Sequence, residues 1–378
     1  MSDMKKLFYP FERSDQKAFW AGYTSPRMHF FNNDSIIPDV AFGEEFLIST
    51  RELSLDTPHI HDGAINFFLF LGSDLTDIFN TGIDVDFCIG DTAESMEIYH
   101  ITKPTAVVVP PGVFHAPLYY KKVGHGALTL LHYIGTTTGR VYPRINEDGK
   151  EEWFYQKPKP RYCVEDPSKL CSICGKCFTK ADETPEDVRK YMEPFYKNAS
   201  TAGKYKDCFV ELKEEYHKIG DAVISPRLVF RGKETVAGAD ELFSFNIVTK
   251  PCTLGDEEPM SNGQVAEFLW FSGADAYDGW ASFDAEIEVE LGESPDKMET
   301  VIINEPGVIA LPPGTWRGAI RVKKVGKPLC FIPFYVHDKP RYKLTQKVVD
   351  GKKLLVYDDA STITEPTAGD ELFLQIKR

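Results

Sequence analysis

The sequence predicts an all-β-dominated chain of two tandem jelly-roll barrels, with a Cys-rich, partly helical insert between them. Three observations predict this. First, the chain repeats itself over a long period. Residues 58–72 (PHIHDGAINFFLFLG) return as 259–273 (PMSNGQVAEFLWFSG) at an offset of 201, and residues 96–112 return as 298–314 at an offset of 202. A period that long is too large for a solenoid unit and marks two copies of a whole domain. Second, both copies are made of short apolar runs bounded by Gly, Pro, Asp or Asn. Third, four cysteines crowd between the copies.

The elements follow in order. Residues 1–22 read as an arm with one short helix. From about 25 to 133 the runs FLIST, INFFLFLG, VDFCIG, AVVVPP and LTLLHYIG read as strands, rich in β-branched and aromatic residues and punctuated by turns. This is the many-stranded texture of a jelly roll. A hairpin is expected around Glu147, Asp148 and Gly149. Thr184, Pro185, Glu186 and Asp187 make a helix start, with a threonine cap, proline at the first position and acids in the first turn. That helix is expected through Tyr191, and a second near Glu211 to His217. The second jelly roll runs from about 225 to 342, and the runs KLLVY and ELFLQI add strands beyond it. The expected domains are 1–162, an N-terminal barrel; 163–220, a Cys-rich helical connector; and 221–378, a C-terminal barrel.

Composition narrows the class. At 378 residues, 42% hydrophobic and 13% aromatic, the chain has enough apolar material for two cores. A net charge of −14 argues against a nucleic-acid partner, which wants a basic face. No run of 18 apolar residues occurs, so no membrane-spanning helix is expected, and the first residues lack the apolar core of a signal peptide. The expected setting is the cytoplasm, the expected partner a small-molecule substrate, and the expected assembly a homo-oligomer such as a dimer.

The chemistry concentrates in the first copy. His59 and His61 stand two apart in a strand-like segment, so both side chains project to one face. Pro110, Gly112 and His115 place a third histidine just after a turn. Three neutral imidazoles around an open position suit a first-row divalent metal such as Mn, Fe or Zn. In the second copy the same positions hold Met260, Asn262 and Arg317, which offer no such site; a second site there that grips a carboxylate through Arg317 is the alternative.

These residues resemble the two motifs of the cupin superfamily, G-x5-H-x-H-x3-4-E-x6-G and G-x5-P-x-G-x2-H-x3-N. His59, His61, Pro110, Gly112 and His115 match them, Asn66 stands at the glutamate position, and Tyr119 stands at the closing asparagine. The repeat makes the resemblance that of a bicupin, which implies a reactive metal held by His59, His61 and His115. The layout of two such domains flanking a Cys-rich insert is also similar to that of the dihydrophloroglucinol cyclohydrolases. That likeness implies hydrolysis of a C–C bond in a small cyclic 1,3-diketone through a metal-chelated enolate. A quercetinase-like dioxygenase, a sugar or keto-acid isomerase and a non-catalytic ligand-binding cupin are the alternatives.

Three further sets of residues are singled out. His132 occurs only in the metal-bearing copy, where the second copy has Phe334, and is read as a pocket-lining acid/base; Asn66 is read as a catalytic group near the metal. Phe67, Phe68, Phe70 and Phe114 suggest an apolar wall suited to a ring. Cys163, Cys171, Cys174 and Cys177 supply four soft thiolates within one short stretch. Such thiolates select zinc or, less readily here, an iron–sulfur cluster, because the bacterial ferredoxin spacing is not met. A structural zinc ion is the expectation.

Overall fold

The computed structural model of the chain describes residues 4–11, 28–33, 36–37, 41–61, 63–135, 140–145, 148–156, 184–216, 221–232, 235–239, 241–254, 259–262, 266–279, 281–336, 342–349 and 352–359. The fold is the expected pair of β-sheet barrels, and Pro185–Asn198 is the one α-helix among these residues. Cys163, Cys171, Cys174 and Cys177 lie outside them.

The chain divides into two compact units. One comprises Glu12–Leu212 and Val236–Gly238, the other Met1–Phe11, Lys213–Thr235 and Ala239–Arg378. The arm expected within the N-terminal domain therefore groups with the C-terminal unit, and the helix expected in a separate connector groups with the N-terminal one.

In the N-terminal unit, a six-stranded sheet runs in the order Phe209–Glu211, Thr105–Val109, Ala64–Gly72, Ala127–Gly135, Ala41–Ser49, Met28–Asn33. A four-stranded sheet runs Leu53–Leu55, Phe114–Lys122, Asp84–Gly90, Met96–Ile101. All pairings are antiparallel. Alternation decides which side chains meet inside the barrel. Phe68, Phe70, Phe87, Val107, Val109, Leu118, Tyr120, Leu131 and Tyr133 form its apolar core.

The helix packs on the other face of the four-stranded sheet. Val188 and Met192, with Tyr191 and Phe195 beside them, meet Cys88, Met96, Phe114 and Tyr119. Its start is the one the sequence announces. The Thr184 hydroxyl accepts from the Asp187 amide while the Asp187 carboxylate accepts from the Thr184 amide, a reciprocal cap. The helix runs past Tyr191 to Asn198. The second helix expected from Glu211 to His217 does not form over its described part: Glu211 ends the strand Phe209–Glu211, paired to the edge of Thr105–Val109, Glu215 bridges Arg227, and His217 lies outside the described residues. Phe209 and Val210 favour a pleated surface, and an unsatisfied sheet edge lies within their reach. The expected hairpin is present as Arg140–Ile145 paired with Glu151–Gln156, with Gly149 at positive φ between them.

The C-terminal unit repeats the plan. Its six-stranded sheet runs Phe8–Pro10, Gly307–Leu311, Glu267–Gly273, Leu329–Val336, Glu241–Val248, Leu228–Arg231. Its second sheet contains Lys297–Ile303, Ala285–Ser294, Trp316–Val325, Met260–Asn262, Tyr342–Val349 and Lys352–Asp359, with Cys252–Leu254 joined to Trp316–Val325. Phe8–Pro10 caps the edge of Gly307–Leu311 as Phe209–Glu211 caps Thr105–Val109, at the same repeat offset. Each six-stranded sheet is thus completed by the segment that precedes the other repeat.

Candidate metal centre

The segment carrying His59 and His61 is pinned along both edges. On one side His59 exchanges backbone hydrogen bonds with His115, at 3.2 and 3.1 Å; on the other Ile60 exchanges them with Val141, at 3.0 and 2.8 Å. The Gly112 amide donates to the His61 carbonyl at 2.8 Å, and Gly112 has φ +75°, a turn that glycine adopts without strain. These bonds bring the three histidines together. All are buried, at most 2% exposed, and one ring nitrogen from each lies within 4.8 Å of the others.

Two of the rings have a fixed tautomer. A carbonyl oxygen only accepts, so the His59 Nδ1 donates to the Thr57 carbonyl at 2.7 Å and the His115 Nδ1 to that of Val113 at 3.2 Å. Nε2 is left as the electron-pair donor on each ring, the arrangement that backbone carbonyls impose on metal-bound histidines. The donor set therefore fits a divalent transition metal, with His59, His61 and His115 as the residues that would hold it.

Asn66, at the glutamate position of the motif, projects into this cluster. Its Nδ2 donates to His115 Nε2 at 2.8 Å. Its cross-strand partner is Tyr133, so the two side chains share a face, and the Tyr133 ring lies 5.0 Å from that of His61. Phe68 stands edge-on to His115 at 5.7 Å.

His132 is not part of this site. Its cross-strand partner is Phe67, one residue out of phase with Asn66, so it occupies the opposite face of the sheet; its ring meets Phe67 edge-on at 5.5 Å. It is fully buried there, and burial pushes its pKa down from 6.5 to about 3. The acid/base role expected for it is withdrawn on these grounds. Of the four phenylalanines expected in the wall, Phe68 and Phe70 face the barrel core, whereas Phe114 packs under the helix and Phe67 beside His132. The residue the sequence reading passed over is Tyr133, whose counterpart Tyr335 keeps the same identity in the second copy.

The second barrel closes the equivalent place with its own charges. Arg317, where the first has His115, donates through Nε to Glu267 Oε1 at 3.0 Å, and Tyr335 donates to the same oxygen at 3.0 Å. Burial opposes the charge on Arg317, but Glu267 and Tyr335 outweigh it and raise its pKa. Among the described residues Glu267 is the carboxylate at this place, and it already engages the guanidinium that would otherwise grip an anionic ligand.

One more group has metal-like spacing. Asp84, Asp86 and His100 lie on the outer side of the four-stranded sheet. Lys121 Nζ sits 3.0 Å from Asp84 and 2.9 Å from Asp86, so an ammonium already fills it. Burial raises the Asp86 pKa, but hydrogen bonds from Tyr196, His100 and Lys121 prevail and lower it.

No family model matches the chain, and no curated protein matches it in sequence. Solved structures do match in fold. A single-residue variant of oxalate decarboxylase from Bacillus subtilis superposes with a TM-score of 0.51 at 12% identity, covering 89% of this chain and 78% of that one. A second variant of the same enzyme gives 0.50 at 10%, covering 98% and 87%. A further oxalate decarboxylase structure, concerned with proton-coupled electron transfer, gives 0.50 at 9%, covering 88% and 77%. At these identities the likeness establishes the fold. The chain has the two-barrel architecture of these structures, and its N-terminal barrel holds a three-histidine group suited to a metal ion.

Proposed function

We propose that the N-terminal barrel is the active site of a metal-dependent enzyme that hydrolyses a C–C bond in a small cyclic 1,3-diketone of the dihydrophloroglucinol kind. The observation that carries this reading is the charge of the site. Among the described residues its donors are three imidazoles and an amide, the Asp56 carboxylate lies on the Nδ1 side of His59 at 3.9 Å, and the wall is aromatic. Among the described residues the buried cationic side chains are Arg227 and Arg317, both in the other unit. Among the fully buried described residues of this unit, a bound ion would thus be the source of positive charge. A dicarboxylate would ask for more. The enolate of a 1,3-diketone brings two oxygens, one negative charge and an apolar ring.

When bound, the ion supplies Lewis acidity toward the two substrate oxygens. The chain does the rest. Thr57 and Val113 hold the imidazoles of His59 and His115 in the ligating tautomer. Phe68 and Tyr133 line the site with apolar ring surface and exclude bulk water. Asn66 is the polar group beside the reacting oxygens. The protein is further proposed to act in the cytoplasm as a homo-oligomer, with Cys163, Cys171, Cys174 and Cys177 holding a structural zinc ion.

Anaerobic incubation of the metal-loaded protein with dihydrophloroglucinol tests the reaction. The expected product is the ring-opened keto acid, formed with one water and no O2. Product formation coupled to O2 consumption would replace this reading with a cupin dioxygenase. Binding without turnover would leave a ligand-binding cupin.

A further inference from the structure

Asn66 has a hydrogen-bonding capacity that its surroundings do not use. The residue is 2% exposed, and its Nδ2 is engaged by His115 Nε2 at 2.8 Å. Its Oδ1 is fully buried and has no hydrogen-bond partner among the described residues. The orientation of the amide is fixed, because His115 Nδ1 donates to Val113 and Nε2 can then only accept. An orphaned acceptor in such a place is costly unless something supplies a donor. When a metal takes the electron pair of His115 Nε2, the amide loses its present acceptor as well. Asn66 then offers one donor and one acceptor to whatever lies beside the ion.

We infer that Asn66 reads the protonation of the ligand, selecting chelators that keep an O–H next to their coordinating oxygen over chelators that are acceptors only. This rests on the three-histidine group holding a metal, and it deepens the diketone reading by naming the form that Asn66 admits: the neutral enol, bound with its O–H in place before the enolate is formed, together with hydroxy-carbonyl compounds. A hydroxyl both donates to Oδ1 and accepts from Nδ2, so it satisfies both ends of the amide. A dicarboxylate satisfies Nδ2 and leaves Oδ1 as it is now. A glutamate at this position would instead present a charge to the ion and read no proton. Sites built around one buried hydrogen bond discriminate strongly against ligands that lack the partner.

The test uses the full-length protein loaded with Mn(II), its metal content fixed by elemental analysis, and three probes titrated calorimetrically. Glycolate keeps an O–H beside its carboxylate, oxalate has none, and cyclohexane-1,3-dione enolises. Asn66→Leu should weaken glycolate about tenfold, the effect of one buried hydrogen bond, while oxalate changes less than about twofold and metal content stays the same. Asn66→Ala, which asks less of the packing, should give the same contrast. Equal weakening of glycolate and oxalate, or no change for either, would overturn the inference. So would loss of the metal from both variants, which would make Asn66 a ligand. If glycolate responds as expected but cyclohexane-1,3-dione neither binds nor turns over, the protonation-reading role stands and the diketone reading falls.

Discussion

Glu267 and Arg317 stand in the C-terminal barrel where Asn66 and His115 stand in the N-terminal one, and their side chains meet at 3.0 Å. Both are about 3% exposed. The two substitutions compensate each other, since a buried carboxylate requires a cation and the guanidinium provides it. Removing one member of such a pair typically costs about 3–5 kcal/mol, whereas replacing both by apolar groups is often neutral. Arg317→Met should therefore lower stability in urea by about that amount, and Arg317→Met with Glu267→Leu should recover most of it. A single variant as stable as the wild type would contradict the role given to the pair.

His132 predicts a pH dependence. Its pKa is about 3 in the fold and 6.5 unperturbed, so as pH falls the unfolded chain takes up the proton first. The contribution is intact above about 6.5 and is lost progressively toward 3. Between pH 7 and pH 5 that loss is about 2 kcal/mol. His132→Phe, which copies Phe334 of the second repeat, should remove this part of the acid sensitivity and leave metal content unchanged. The check is urea unfolding of both proteins at the two pH values.

The N-terminal arm predicts a local effect. Gly307 pairs with Pro10, and a Cβ there would meet the Tyr9 carbonyl at 2.6 Å and the Phe8 ring at 2.7 Å. Gly307→Val should displace Phe8–Pro10 and cost about 1–3 kcal/mol, as overpacking does. Amide exchange should then rise at Phe8 and Tyr9 and along Gly307–Leu311. Unchanged protection there would rule out the pairing.

The cysteine cluster predicts a second metal. Cys174→Ser should lower both zinc content and thermal stability while the histidine site keeps its ion. Free thiols at all four positions, found by alkylation of the native protein, would dispose of the structural zinc.

The fold was legible in the sequence because the repeat and the turn-bounded apolar runs are strong, redundant signals. The three histidines were legible because their spacing fixes their face and their turn. What failed was parity between strands. His132 and Tyr133 are neighbours in sequence, and only the register against Asn66 and Phe67 tells which one enters the barrel. That register comes from long-range pairing, which a local pattern buried on both faces does not encode. The strand Phe209–Glu211 was not anticipated for the same reason: its partner is the distant edge Thr105–Val109.

Metal analysis of anaerobically purified protein, wild type beside His61→Ala, tests the central claim most directly. Wild-type protein should carry about one equivalent of a first-row divalent metal beyond any zinc held by the cysteines. His61→Ala should lose that equivalent while remaining folded, and Arg317→Met should keep it. Full occupancy in His61→Ala would contradict the assignment of the site to His59, His61 and His115.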